Sequence, residues 1–249
     1  MDFNQNTDNK VALITGGGRR IGAQIATSLH EKGFRLALHY RNSREHAQAL
    51  QEKLNAIRAD SVILIQADLH VTKGLISLVN STVESFGQLD LIINNASSFY
   101  PTPVSKASEQ DWDDLIGSNL KAPFFLAQAA APALKKSKGC IINIVDIHSE
   151  RPLKEHPIYC MAKAGLAMMT KSLAKELGPE IRVNGVSPGA ILWPENEIDQ
   201  LTQQRIISRS FLKRQGNPSD IAEAVLFLAT QNYITGQIIA VDGGRSLNS

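Results

Sequence analysis

The chain has 249 residues, of which 43% are hydrophobic and 20% are charged, and its formal net charge is +2. This length suits one large domain with a substantial core. The small net charge argues against a nucleic acid or a membrane surface as the partner. No apolar run approaches the roughly 20 residues that a membrane-spanning helix needs. The N-terminal segment 1–10 is polar, unlike a secretory signal, and the two cysteines lack a metal-ligand spacing. We therefore expect a cytoplasmic protein without a bound metal.

Apolar, β-rich runs alternate along the chain with helical patterns. The predicted strands cover 11–15, 35–40, 61–67, 89–95, 140–145, 181–187 and 237–244. The predicted helices cover 21–32, 43–58, 72–86, 109–135, 157–178, 197–212 and 219–230. Buried parallel strands carry continuous apolar runs, and their alternation with helices is typical of βαβ units. The sequence therefore predicts a single α/β domain over 1–249, with a doubly wound parallel sheet and helices on both faces.

A glycine-rich turn, TGGGRRIG, joins the first strand to the first helix at 15–22. Glycines let the backbone approach a pyrophosphate, and the helix N-terminus offers unpaired N–H groups. The turn lacks the Lys-Ser/Thr ending of a P-loop. Its place after the first strand favours dinucleotide binding, although a turn of this kind can also serve only to reverse the chain. The residues expected at the cofactor here are Gly16, Arg19, Arg20, Ile21 and Gly22.

The end of the second predicted strand indicates the type of dinucleotide. Proteins that bind NAD usually place Asp or Glu there for the ribose hydroxyls, but this segment has no carboxylate. Arg41 can pair with a 2′-phosphate, and Ser43 can both bond that phosphate and cap the next helix. We therefore expect NADPH/NADP+ rather than NADH, the alternative being a surface loop with a solvated arginine. The residues expected to contact the cofactor are His39, Tyr40, Arg41, Asn42 and Ser43, with Asp68 and Leu69 at the adenine edge.

Asp146, Tyr159 and Lys163 follow the spacing D-x₁₂-Y-x₃-K. Tyr159 and Lys163 stand four residues apart in a predicted helix, so their Cβ atoms lie roughly 6 Å apart on one face. An ammonium group lowers the pKa of a neighbouring phenol, and such a tyrosine can pass a proton during hydride chemistry. The Asp146 carboxylate opposes Lys163, raises the phenol pKa and keeps the phenol protonated. The alternatives are a solvated helix face for the pair and a loop cap for Asp146.

Taken together, these motifs resemble the short-chain dehydrogenase/reductase family over essentially the whole chain. The matching segments are 15–22, 68, 94–96, 119, 159–163, 182–184, 188–189 and 241–244. The resemblance implies a Rossmann sheet of seven strands and a homotetramer. It also implies that Asn95 and Ala96 line the cofactor path and that Asn119 holds a proton-relay water. Lys163 would grip the nicotinamide ribose, and the backbone of Pro188 and Gly189 would face the carboxamide.

Three departures from the general family pattern match the pteridine reductase branch. Arg20 stands where a small residue is usual, Asp146 stands where serine is usual, and SSFYP at 97–101 replaces a loop with Ala-Gly. The segment NNASSFYPTP at 94–103 is close to that branch's signature. The resemblance implies that Phe99 stacks on a pterin against the nicotinamide, that Arg20 reaches the pterin or the cofactor phosphate, and that Ser97 bonds the pterin edge and the cofactor. Phe99 has the alternative role of a core or loop anchor.

The sequence thus supports the hypothesis of an NADPH-dependent pteridine reductase acting on a dihydropterin or dihydrofolate C=N bond, with Tyr159 and Asp146 supplying the proton. The rival functions are a carbonyl reductase, such as a 3-oxoacyl-carrier-protein reductase, and a non-catalytic NADP(H)-sensing protein. A substrate lid is expected at about 188–216, where Trp193 either covers the substrate or anchors the loop. His148 and His156 are expected to be loop residues rather than ligands.

Overall fold

Seven parallel strands form one sheet in the computed structural model, which describes residues 7–192 and 199–248. The strands are β1 (Val11–Ile14), β2 (Arg35–Tyr40), β3 (Val62–Gln66), β4 (Leu91–Asn94), β5 (Cys140–Ile144), β6 (Arg182–Pro188) and β7 (Ile238–Val241). Their order across the sheet is β3-β2-β1-β4-β5-β6-β7. Each predicted apolar run overlaps one of these strands. The predicted doubly wound, seven-stranded Rossmann sheet is therefore confirmed.

The helices that cover the two faces of the sheet follow the strands along the chain. They are α1 (Arg20–Glu31), α2 (Arg44–Ile57), α3 (Thr72–Phe86), α4 (Glu109–Ile116), α5 (Ala122–Ser137), α6 (Pro157–Leu177), α7 (Gln200–Ser208) and α8 (Pro218–Thr230). No helix in this part of the chain is long and apolar enough to cross a membrane.

The core is divided by the sheet because successive strand residues point to opposite faces. In β1, Ala12 and Ile14 pack into one apolar cluster with α1 and α8. Val11 and Leu13 pack into the other, with α3 and α5. All four side chains are fully buried, which explains why β1 has a continuous apolar run rather than an alternating pattern.

The helix predicted over 109–135 is interrupted by a π-helical turn, Gly117–Lys121, between α4 and α5. Within this turn the N–H of Ala122 donates to the carbonyl of Gly117, five residues back. Pro123 has no N–H, so it cannot donate to the carbonyl of Asn119 as a residue at this place in an α-helix would. The wider turn agrees with that missing donor, and π-turns are frequent at functional sites. The helical pattern predicted over 109–135 is present, and this turn divides it into two helices.

The lid helix predicted over 197–212 is shorter where the structure describes it. Helix α7 covers Gln200–Ser208 and is capped by the Asp199 side chain, which accepts the N–H of Thr202 at 3.0 Å. After Ser208 the backbone turns away because Phe211 and Leu212 donate their N–H groups to the carbonyl of Gly243, at 2.9 and 3.2 Å. The N–H groups of Phe211 and Leu212 therefore bond to the turn after β7 instead of to carbonyls of α7.

A buried chain of polar side chains crosses the sheet, and its removal is expected to destabilise the fold. Asn143 accepts the amide of Asn94 at 2.8 Å and donates to the hydroxyl of Thr170 at 2.9 Å. Asn143→Ala leaves the buried Asn94 amide without this partner, so we expect the free energy of unfolding to fall by about 1–3 kcal/mol. Denaturant unfolding measures the change. Ile142→Val on the same strand is the control, at about 0.5–1.5 kcal/mol, and an equal loss in both variants would contradict the prediction.

Candidate active site

The candidate site lies where the carboxyl ends of the central strands meet, as expected for an open α/β sheet. The glycine turn follows β1, residues 95–102 follow β4, Asp146 follows β5, and Gly189 follows β6. Helix α6 packs beside this edge and carries Tyr159 and Lys163. The tertiary structure therefore brings segments from across the chain to one edge of the sheet.

Two positions of the glycine turn cannot accept a side chain without backbone strain or a clash. Gly16 has a positive φ of 61°, and a Cβ atom on Gly22 would lie 2.3 Å from the carbonyl oxygen of Gly16. The amide of Asn95 donates to the carbonyls of Thr15 and Gly16, at 2.9 and 3.0 Å. This bracing holds the turn at the N-terminus of α1, where N–H groups and positive potential suit a pyrophosphate. The turn therefore fits a dinucleotide, and Asn95 supports the turn from behind.

His39 supports the same turn from the second strand. Its Nδ1 atom accepts the N–H of Gly16 at 3.2 Å, and its Nε2 atom lies 3.1 Å from the carbonyl of Ala67, to which it donates. Burial of the ring lowers the pKa of His39, which keeps it neutral. His39 and Tyr40 are both buried, whereas Arg41 and Asn42 are exposed at the strand end. His39 therefore supports the shape of the turn, while Arg41 and Asn42 face outward.

Arg41 is paired with Asp68, the residue expected at the adenine edge. The guanidinium Nη2 lies 3.2 Å from Asp68 Oδ2. Leu69 is buried next to this carboxylate. Ser43 stands at the N-cap position of α2, but its side chain makes no capping hydrogen bond. The predicted capping role of Ser43 was wrong, because its backbone (φ −91°, ψ 50°) departs from the extended conformation typical of an N-cap.

Arg20 adopts a left-handed backbone conformation, with a φ of 54°. For a residue other than glycine this conformation costs of order 1–3 kcal/mol, and such residues cluster at functional sites. Arg19 and Arg20 are both exposed at the mouth of the glycine turn, and Ile21 packs against the core.

Tyr159 and Lys163 are buried beside Asp146. The Tyr159 hydroxyl donates to Asp146 Oδ2 at 2.8 Å. Lys163 Nζ lies 5.7 Å from the centre of the Tyr159 ring and donates to the carbonyl of Ile144 at 2.9 Å. The other carboxylate oxygen of Asp146 accepts the N–H of His148 at 2.8 Å. Asp146 therefore occupies both places considered from the sequence, as a cap for the following turn and as a neighbour of the phenol.

Burial controls the protonation of this cluster. Burial, followed by the Asp146 charge, raises the pKa of Tyr159 well above its ordinary value, while a hydrogen bond with Ser97 acts in the opposite direction. Burial also lowers the pKa of Lys163 to about 8, and Asp146 opposes this change. The expected lowering of the phenol pKa by the ammonium group is thus outweighed. Tyr159 is a protonated hydrogen-bond donor at neutral pH.

Asn119 is fully buried in the π-helical turn, and hydrogen bonds of its side chain fix its position. Its amide donates to the carbonyls of Ser98 and Leu115, at 2.9 and 3.0 Å. Its side-chain oxygen accepts the Ser97 hydroxyl at 2.7 Å. The Asn119 side chain thus fixes the loop after β4, and the Ser97 hydroxyl lies between Asn119 and Tyr159.

Phe99 lies at the entrance and is 45% exposed. Its ring stacks on His156 with the centroids 4.7 Å apart, and it meets the Tyr159 ring in a T-shaped contact with the centroids 4.8 Å apart. One ring face therefore rests on the protein, which agrees with the anchoring role. The sequence did not predict the contact between Phe99 and His156. The only available signal was that His156 stands three residues before Tyr159.

Two further predicted cofactor contacts, Pro188 and Gly189, lie where the predicted lid begins. Pro188 ends β6, and Gly189 donates its N–H to the carbonyl of Val241 at 3.0 Å, which places this backbone beside β7. Trp193 lies outside the described residues. Among the described residues, no group of His, Cys, Asp and Glu could hold a metal ion.

Comparison with known proteins identifies the family to which this chain belongs. A family model described as enoyl-(acyl carrier protein) reductase matches residues 17–246. Pteridine reductase 1 from Leishmania tarentolae is 36% identical over 95% of this chain and 96% of its own length. The 3-oxoacyl-[acyl-carrier-protein] reductase FabG from Staphylococcus aureus is 38% identical, over 94% and 97%. Subunit BbsD of (2S)-[(R)-hydroxy(phenyl)methyl]succinyl-CoA dehydrogenase from Thauera aromatica is 36% identical, over 96% and 97%.

The chain belongs to the short-chain dehydrogenase/reductase family, and it is an NAD(P)-dependent reductase. Its similarity to the pteridine reductase and to the 3-oxoacyl reductase is comparable, so overall identity does not choose between their substrates. The choice depends on particular residues of the site.

The packing of the glycine turn predicts the effect of a single methyl group on cofactor binding. Gly22→Ala forces the Gly16 carbonyl to move, so we expect the dissociation constant for NADPH to rise by about tenfold or more, equivalent to 1.4 kcal/mol. Titration calorimetry measures it. Gly74→Ala is the matched control, since its Cβ would make only an ordinary contact, at 3.4 Å from the Asp68 carbonyl. Unchanged NADPH affinity in Gly22→Ala would show that the turn does not bind the cofactor.

Proposed function

We propose that this chain is an NADPH-dependent pteridine reductase that reduces a C=N bond of a dihydropterin or dihydrofolate. The observation that carries the proposal is the 2.8 Å hydrogen bond from Tyr159 to Asp146. Burial, followed by the charge of this carboxylate, raises the pKa of Tyr159 and keeps it protonated, whereas the general family pattern has serine at residue 146. Reduction of C=N requires a hydride at carbon and a proton at nitrogen, so a held proton donor suits this bond.

The residues of this chain would manage the proton in that reaction. The reduced nicotinamide, when bound, supplies the hydride. Tyr159 donates its hydroxyl proton to the ring nitrogen. Lys163, with a pKa of about 8, still carries its charge at neutral pH and offsets the phenolate that remains. Asp146 then accepts a proton from water and passes it to the Tyr159 phenolate, which restores the phenol.

The substrate would be held between the glycine turn and the loop after β4. Phe99 offers an exposed aromatic ring for a flat heterocycle, although His156 already covers one of its faces. Arg20 contributes a guanidinium fork at the mouth of the turn, and Ser97 is exposed next to Tyr159. Trp193 remains a proposed substrate contact.

The second candidate is a 3-oxoacyl-[acyl-carrier-protein] reductase, which the 38% identity to the Staphylococcus aureus enzyme favours. A ketone also needs a hydride and a proton, so Tyr159 and Lys163 would serve it equally. Asp146 and Arg20 distinguish the two functions, because the general family pattern has serine and a small residue at these positions. NADPH oxidation with dihydrobiopterin, dihydrofolate, folate and an acetoacetyl thioester separates them. Turnover with the thioester alone would overturn the proposal.

We also propose that NADPH is bound through its 2′-phosphate by Arg41 and Ser43. Arg41 is half exposed, and the Ser43 hydroxyl is not used for capping. The remaining expected contacts, Asn95, Ala96, Pro188 and Gly189, lie along the same edge of the sheet, between the glycine turn and the lid.

A cytoplasmic homotetramer is the proposed assembly. Large apolar side chains are exposed on three neighbouring helices, as is usual at subunit interfaces. These are Trp112 on α4, Phe124 on α5, and Met161 and Met168 on α6. Light scattering after size-exclusion chromatography measures the assembly.

The hydrogen bond between Tyr159 and Asp146 predicts how substitution of Asp146 changes catalysis. Asp146→Ala removes the carboxylate that would pass a proton from water to Tyr159, so we expect kcat with dihydrobiopterin to fall by roughly 100-fold. The dissociation constant for NADPH should change far less. Because the carboxylate adds to the effect of burial in raising the pKa of Tyr159, its loss should also move the alkaline limb of the kcat/KM profile to lower pH.

Steady-state kinetics and cofactor titration check these changes. Tyr159→Phe is the matched control, because it removes only the hydroxyl and should abolish turnover while NADPH still binds. An undiminished kcat in Asp146→Ala would exclude the carboxylate from the proton path. An undiminished kcat in Tyr159→Phe would remove the tyrosine from the mechanism. Cofactor binding without turnover in the wild type would support the sensing alternative.

Arg41 provides a separate test of cofactor choice. Arg41→Ala removes a charge-assisted contact with the 2′-phosphate, so we expect the dissociation constant for NADPH to rise roughly tenfold while that for NADH is unchanged. Fluorescence titration measures both. Lys53→Ala removes an exposed positive charge further along α2 and should alter neither value. An equal loss for both cofactors in Arg41→Ala would contradict the assignment.

A further inference from the structure

The turn that follows β7 lies against the edge of the candidate active site. Gly189, which ends the site at β6, donates its N–H to the carbonyl of Val241 at 3.0 Å. A Cβ atom on Gly189 would lie 2.7 Å from Cα of Asp242, the first residue of the turn. The Asp242 carboxylate accepts the N–H groups of Gly244 and Ser246, at 2.9 and 2.6 Å. The turn therefore begins in contact with the site, and hydrogen bonds fix its backbone.

The same turn holds the segment that follows α7. The carbonyl of Gly243 accepts the N–H groups of Phe211 and Leu212, at 2.9 and 3.2 Å. The side-chain amide of Asn248 donates to the carbonyl of Arg209 at 2.9 Å. These bonds join the end of the predicted lid to the turn after β7, so side chains from both segments meet at one place.

Two arginines bring positive charge to this place. Arg209 is exposed at the end of α7, and Arg245 is partly buried in the turn. Burial lowers the pKa of Arg245, the Asp146 charge opposes this change, and the Arg209 charge adds to it. The Arg245 guanidinium is therefore close enough to feel both the carboxylate of the catalytic cluster and a second cation. Among residues 7–192 and 199–248, neither arginine forms an ion pair with a carboxylate. An anion bound between them would relieve their repulsion.

Exposed apolar surface lies beside these two charges. The side chains of Phe211 and Leu212 are 55% and 63% exposed, although their backbone is bonded to the turn. A Cβ atom on Gly244 would lie 2.8 Å from Cδ2 of Phe211, so the phenyl ring rests on the turn. Aromatic side chains pack favourably against the ring of a ligand. The place therefore offers an aromatic contact and two cations next to each other.

We propose that Arg209 and Arg245 bind the carboxylates of a p-aminobenzoyl-glutamate tail, so that this chain prefers dihydrofolate to a dihydropterin with a short uncharged tail. The inference rests on the proposed pteridine reduction and names the substrate for it. Both substrates present the same ring to Tyr159, and only the tail distinguishes them. The benzoyl ring packs on Phe211, and the glutamate carboxylates accept the paired N–H donors of the guanidinium groups.

The test is the ratio of kcat/KM for dihydrofolate to that for dihydrobiopterin, at saturating NADPH, in wild type, Arg245→Gln and Arg209→Gln. Each substitution removes a charge-assisted contact with a carboxylate, so we expect this ratio to fall about tenfold in each variant. An effect of Arg245 on Asp146 enters both substrates and cancels in the ratio. Arg214→Gln is the matched control, because this exposed arginine of the same segment is already paired with Asp220 at 3.4 Å. It should leave the ratio unchanged.

Ionic strength provides a second measurement that needs no variant. Salt screens the attraction between exposed charges, so raising it from about 50 to about 500 mM should increase the wild-type KM for dihydrofolate about threefold or more. The KM for dihydrobiopterin should change far less. Thermal unfolding confirms that the variants are folded.

The outcomes separate this inference from the function on which it rests. Turnover of dihydrobiopterin, with a ratio that neither arginine substitution lowers or a KM for dihydrofolate that does not respond to salt, would overturn the inference and leave pteridine reduction standing. Absence of turnover with both pterin substrates would overturn the proposed function, and the inference with it.

Discussion

The hydrogen bond between the Tyr159 hydroxyl and the Asp146 carboxylate determines the chemistry that this site can support. Burial of the phenol, followed by the neighbouring Asp146 charge, opposes its ionisation, so Tyr159 keeps its proton. Lys163, which shares the burial, stays within reach as the compensating charge. The rest of the fold serves to bring these three groups to one edge of the sheet and to exclude water from the phenol and the amine.

The π-helical turn links this cluster to the rest of the site. It carries Asn119, whose side chain reaches the loop after β4, and it begins at Gly117, against which His70 packs. The same segment therefore touches the loop expected to hold the substrate and the turn between β3 and α3.

Much of the fold could be predicted because it depends on local patterns. The apolar runs gave the strands, and the glycine spacing of the turn and the four-residue spacing of Tyr159 and Lys163 gave the main elements of the site. The predictions failed where a residue distant in sequence supplied the hydrogen-bonding or stacking partner. The lid helix ends early because Phe211 and Leu212 bond to Gly243, and the stacking of His156 on Phe99 joins two loops far apart in sequence.

The sequence by itself determined the family, the sheet and the identity of the groups at its edge, since periodicity and spacing are local properties that survive in any correct fold. Only the tertiary structure decided how those groups are charged. The burial of Lys163 and Tyr159, the pairing of Arg41 with Asp68 and the two acceptors around His70 depend on distances through space. Electrostatic energy and desolvation follow those distances, and no spacing along the chain specifies them.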